Sequence, residues 1–150
     1  MTIQTVNSSE LTGSQKLVLL YRYISSAKMF SVAQFAAEHK IKTYLVYHYL
    51  KLLRDMGFPI INTAYGQWEF GEPENIDILS FIMGGRKFTR AQNLVMLYRE
   101  LIKGNLISPT AYAKRAKVSR QTVYHQLDLL SQSGIPVINT RDGWTLASYL

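Results

Sequence analysis

VYHQLDLLSQSGIPVINT, residues 123–140, repeats a phrase already written at residues 46–63 as VYHYLKLLRDMGFPIINT. The offset of 77 positions (123 − 46) carries residues 11–70 onto residues 88–147 without a gap. Identical pairs along it include Thr12/Thr89, Gln15/Gln92, Tyr21/Tyr98, Ser31/Ser108, His48/His125, Gly57/Gly134, Pro59/Pro136 and Gly66/Gly143. A period this long, written only twice, predicts two globular copies and not a solenoid, which stacks shorter and more numerous units. A first domain is expected over 1–70, a linker over 71–87 and a second domain over 88–150. The linker, GEPENIDILSFIMGGRK, has no counterpart in the repeat, and its ILSFIM stretch is apolar enough to pack between the copies.

Both copies give the same order of elements. Thr12 and Thr89 each stand three residues before a glutamine, the spacing of a capping box, so a helix is expected to start there. Apolar residues then recur along one helical stripe at Leu17, Leu20, Tyr21 and Ile24, matched by Leu94, Leu97, Tyr98 and Leu101. Met29-Phe30 and Leu106-Ile107 are long enough only for a small strand. Ser31 and Ser108 are placed to cap a second helix of about two turns, with Pro109 suited to its first position in the second copy. After a tight turn a third helix is expected to bury Val46, Leu50 and Leu53, or Val123, Leu127 and Leu130. Gly57 and Gly134 are expected to end it in the left-handed conformation, and Pro59 and Pro136 to keep it from resuming. Two short strands around a turn close each copy, signalled by Asp142-Gly143 and more weakly by Tyr65-Gly66. The fold expected is mainly α with small β-hairpins, an α+β chain of two tandem winged-helix domains.

Residues 108–137, SPTAYAKRAKVSRQTVYHQLDLLSQSGIPV, resemble the helix-turn-helix of winged-helix transcription regulators of the DeoR and biotin-repressor type. The likeness rests on Ser-Arg-Gln-Thr-Val-Tyr at the start of the third helix, its Leu-x-x-Leu spacing, and the Gly-Ile-Pro exit toward the wing. It extends over both copies. The resemblance implies DNA binding, with the third helix of each copy in the major groove and the hairpin as the wing.

The residue types at those positions suit that task. An α-helix fits the major groove, and polar side chains at its N-terminal end reach base edges. In the second copy Ser119, Arg120, Gln121, Thr122, Tyr124 and His125 are expected to face outward there. Arg pairs bidentately with guanine and Gln with adenine. Lys114, Arg115 and Lys117 flank the preceding turn and are placed to hold phosphate, and Arg141 is expected at the wing tip. The first copy reads KTYLVYHY where the second reads SRQTVYHQ. Lys42, Thr43, Tyr44, Tyr47 and His48 still permit DNA contact there. Tyr44, Leu45, Tyr47 and Tyr49 equally suit self-association or a protein partner.

Charge is unevenly shared between the copies. The chain carries a formal net charge of +7 over 150 residues. Residues 1–75 hold seven Lys and Arg against six acids, whereas residues 76–150 hold ten against four, so the second copy contributes most of the excess. Such a balance points to an anionic partner, above all nucleic acid.

Other classes find little in the sequence. There is no P-loop, G-x-S-x-G or dinucleotide-binding fingerprint. The three histidines include His48 and His125, which are repeat equivalents and belong to separate domains, so no catalytic site, metal site or cofactor is expected. No cysteine and no long apolar run point to a disulfide framework or a membrane span, so a cytoplasmic location is expected, in a prokaryotic cell or the host of a virus. The function expected is sequence-specific binding of double-stranded DNA as a transcription regulator, of a size suited to a phage or plasmid, with the second copy dominant. A replication or segregation factor and a protein-interaction module are the alternatives.

Overall fold

The computed structural model describes residues 11–64, 66–71 and 88–149. The expected linker beyond Gly71, residues 72–87, lies outside them, as does Tyr65 of the first expected turn. The chain divides into two units, the first containing residues 11–71 and the second residues 88–149. Both are mainly helical with small antiparallel sheets.

The first unit runs α1 (Gly13–Ala27), β1 (Met29–Ser31), α2 (Val32–His39), α3 (Thr43–Asp55), β2 (Ile60–Ala64) and β3 (Gln67–Phe70). The second runs α4 (Arg90–Ile102), α5 (Pro109–Ala116), α6 (Arg120–Gln132), β4 (Val137–Thr140), β5 (Gly143–Leu146) and a final 3-10 turn (Ala147–Tyr149). The short strand expected at Leu106-Ile107 is reduced to a single bridge between Ile107 and Trp144. The first sheet has the order β1-β3-β2, the second is the β4-β5 hairpin, and all pairings are antiparallel.

Local chemistry accounts for the helix boundaries. Thr12 Oγ1 accepts from the Gln15 backbone N–H at 3.2 Å while Gln15 Oε1 accepts from the Thr12 N–H at 2.8 Å. Thr89 and Gln92 repeat this reciprocal pair at 3.2 and 2.9 Å. Each box satisfies donors that a helix start leaves free. Ser31 and Ser108 cap α2 and α5 by accepting from Gln34 N and Ala111 N. Gly57 and Gly134 adopt φ of 101° and 87°, and the next N–H donates back to Leu53 O and Leu130 O, closing the ends of α3 and α6.

Each core lies where three helices meet the hairpin. Leu17, Leu20, Tyr21 and Ile24 of α1 are fully buried, as are Val46, Leu50 and Leu53 of α3. Leu94, Leu97 and Leu101 with Val123, Leu127 and Leu130 do the same in the second unit. Burying each such side chain is worth roughly 1.5–3 kcal/mol, which is why the stripes set the fold. Tyr21 gathers Phe58 and Phe70 at ring distances of 5.2 and 5.9 Å. Ile135 and Leu146 are the buried aliphatic counterparts in the second unit.

The hairpins correct the gapless repeat. In the first unit Asn62 pairs with Trp68 and Phe30 pairs with Trp68 from the other side; in the second Asn139 pairs with Trp144 and Ile107 bridges to Trp144. The returning strands therefore correspond at an offset of 76 (144 − 68), matching Trp68 with Trp144 and buried Phe70 with buried Leu146. The extra residue of the first copy is taken up where the β2 register shifts between Asn62 and Ala64. Such a bulge absorbs one residue without turning the rest of the strand over. Gly66 and Gly143, aligned in the sequence, thus occupy different places. Gly66 is in the turn with φ 71°, whereas Gly143 opens β5 with φ 136°, so the second turn is made by Arg141-Asp142 and not by Asp142-Gly143.

Candidate nucleic-acid interface

The start of α6 is built by the turn that precedes it. Lys117, the residue after α5, sits in the left-handed region at φ 57°, ψ 44°, and Val118 N donates to Ala113 O at 3.0 Å. Lys40 holds the same place before α3 at φ 52°, ψ 43°. A non-glycine residue in this region costs about 1–2 kcal/mol, and both units accept that cost with a lysine. Lys114 and Lys117 are exposed around this turn.

Ser119 then caps α6, its Oγ accepting from Thr122 N at 3.1 Å and meeting Thr122 Oγ1 at 2.8 Å. Arg120, Gln121 and His125 are exposed, Tyr124 is 47% exposed, and Thr122 is half-buried with its hydroxyl engaged by the cap. The Tyr124 ring packs edge-on against Trp144 at 6.4 Å, tying the exposed face of α6 to the hairpin. Arg141 is exposed in the hairpin turn, where Thr140 Oγ1 accepts from Asp142 N and donates to Gly143 O. The second unit thus brings Lys114, Lys117, the first turn of α6 and Arg141 onto elements that pack on one another.

Arg115 departs from the expectation of a free phosphate holder. Its guanidinium lies 3.5 Å from Glu100 Oε2 on α4 and over the Tyr112 ring at 5.4 Å. Burial pushes the Tyr112 phenol well above its usual range, with the Glu100 carboxylate adding to the rise, so the ring stays neutral beneath the cation.

The first unit keeps the scaffold and changes the surface. Lys42 precedes α3 without a side-chain cap, Lys42 and Thr43 are exposed, Tyr44 is 64% exposed, and Tyr47 and His48 are exposed. Tyr47 packs edge-on against Trp68 at 6.1 Å, the counterpart of Tyr124 on Trp144. The surface expected from Tyr44, Leu45, Tyr47 and Tyr49 is not intact. Tyr49 is 6% exposed and Leu45 is half-buried, because Tyr49 falls three residues after Val46, on the edge of the buried stripe. Its counterpart Gln126 is also 6% exposed, and its Oε1, like Trp68 Nε1, is buried without a hydrogen-bond partner. Burial raises the Tyr49 phenol above its usual range, with the Tyr44 phenol a lesser cause.

Sequence reasoning missed the two tryptophans that hold Tyr47 and Tyr124, because the gapless alignment placed them out of register. It also passed over Lys51, which is exposed one turn beyond Tyr47 where the second copy has Asp128. Among the described residues no group of three or more His, Asp or Glu is placed to hold a metal ion, and no helix is long and apolar enough to cross a membrane. Comparison with protein-family models, curated proteins and solved structures finds no match to this chain.

Proposed function

We propose that each unit is a winged helix-turn-helix and that the chain is a sequence-specific binder of double-stranded DNA, acting as a transcription regulator. The second unit does most of the reading. The observation that carries this is the exposed polar start of α6, with Arg120, Gln121 and His125 facing solvent beside exposed Lys114, Lys117 and Arg141. A helix of this kind enters the major groove by its N-terminal end, where Arg and Gln have the geometry to distinguish guanine and adenine. The lysines before it and the arginine on the hairpin neutralise phosphates on either side, fixing register without reading sequence. Arg115 contributes less, since Glu100 already holds it.

Selection of bound sequences from a random duplex pool at about 150 mM salt tests the proposal, because nonspecific phosphate contact is weak there and base contacts decide what is retained. An enriched motif is expected. Retention without enrichment would reduce the chain to a nonspecific binder, and no retention would remove the duplex from its partners.

A further inference from the structure

The first unit presents a different chemistry on the same helix. Tyr44 is 64% exposed and Tyr47 is 47% exposed, and three residues apart they stand side by side on α3. Lys51 continues that line one turn further, and Lys42 lies over the Tyr44 ring at 5.9 Å. Tyr47 is braced from behind by Trp68, a contact that fixes its ring while leaving half of it in solvent. The face is cationic as well as aromatic: the only acid on α3 is Asp55, its last residue.

In a duplex the major groove offers base edges and no base faces, so two protruding phenol rings have little to read there. Unstacked bases offer faces to any aromatic ring, and a backbone running past Lys42 and Lys51 would find its phosphates matched. We propose that the Tyr44–Tyr47 face of the first unit is a stacking platform for single-stranded nucleic acid, held at its two ends by Lys42 and Lys51. The chain then carries two nucleic-acid surfaces of different kinds, one for unstacked strands and one for duplex. The first does not depend on the duplex reading of the second unit.

The test uses the full chain and a dye-labelled oligo(dT) followed by anisotropy. Tyr44→Ala and Tyr47→Ala are each expected to weaken binding roughly 5- to 150-fold, the range of a lost base–aromatic stack. Tyr44→Phe keeps the ring and is expected to bind like the parent. Lys51→Ala should lower the salt slope by about 0.7, the share of one single-strand phosphate. Lys103→Ala, exposed after α4 and outside both proposed surfaces, should leave oligo(dT) binding unchanged. Circular dichroism and a urea melt of each variant confirm that the fold is retained. The proposal is overturned if the parent does not bind oligo(dT), or if Tyr44→Ala binds as well as Tyr44→Phe. It is equally overturned if polyglutamate displaces the oligonucleotide as effectively as unlabelled oligo(dT), which would assign the face to an acidic protein. A self-associated chain that Tyr44→Ala dissociates, with oligo(dT) binding unaltered, would assign it to a second copy.

Discussion

Replacing Gly143 by Ala is expected to damage the second unit far more than Gly66→Ala damages the first, although the two glycines align in the repeat. At Gly143 the backbone has φ 136°, and an added Cβ would lie 3.0 Å from the carbonyl oxygen of Ile107. That carbonyl cannot step aside cheaply, because Ile107 and Trp144 exchange two backbone hydrogen bonds, of 2.8 and 2.9 Å. Backbone strain at such a φ costs about 1–3 kcal/mol, and weakening two hydrogen bonds adds about 0.5–1.5 kcal/mol each, so a loss of about 2–6 kcal/mol is expected. At Gly66 the φ is 71° and nothing lies within 4 Å of an added Cβ, so only the left-handed penalty of about 1–2 kcal/mol applies. Each unit holds one of the two tryptophans, Trp68 and Trp144. Urea unfolding by fluorescence in a Trp68→Phe background therefore reports the second unit, and in a Trp144→Phe background the first. Equal losses at the two glycines, or a larger one at Gly66, would refute the shift of the returning strand from an offset of 77 to one of 76.

Ser119→Ala removes the cap of α6 and is expected to cost about 1 kcal/mol in the same unfolding assay, whereas Lys42→Ser supplies the cap that α3 lacks and should stabilise the first unit by about 0.5–1 kcal/mol. Lys117→Gly relieves the left-handed backbone and should gain up to about 1 kcal/mol of stability, yet lower the salt slope of duplex binding by about 0.9 as one phosphate contact is lost; an unchanged slope would place Lys117 off the DNA. Glu100→Gln releases Arg115 and should steepen the salt slope by up to about 0.9, while no change would show that Arg115 lies out of reach of the backbone.

Much of the fold was legible because its signals are local. The Thr-x-x-Gln boxes, the Val-Leu-Leu stripes and the paired Gly57 and Gly134 each lie within a few residues of what they determine, and each is found as the spacing predicts. The hairpins fall out of register in the gapless repeat because residue identity matches Gly66 with Gly143, whereas strand pairing matches Trp68 with Trp144. One inserted residue settles into a bulge and leaves no mark in a sequence read without gaps. Tyr49 was within reach of the sequence: residues 46, 49, 50 and 53 complete a stripe of which only three members were apolar in both copies. The engagement of Arg115 was not, since Glu100 lies on another helix at no diagnostic spacing. Of the candidate interface, the residues around α6 follow from helix phase alone. The support that Trp144 gives Tyr124 depends on strand pairing that only the folded chain displays.

The proposed unequal division of labour between the two copies is tested most directly by comparing Arg120→Ala with Thr43→Ala on a duplex site selected by the parent chain. Position-by-position binding measurements are expected to show Arg120→Ala losing roughly 1–3 kcal/mol with preference relaxed at one base pair, and Thr43→Ala losing far less. Equal losses from the two substitutions would contradict the dominance of the second unit, and a uniform loss from Arg120→Ala with no base position relaxed would contradict sequence reading by α6.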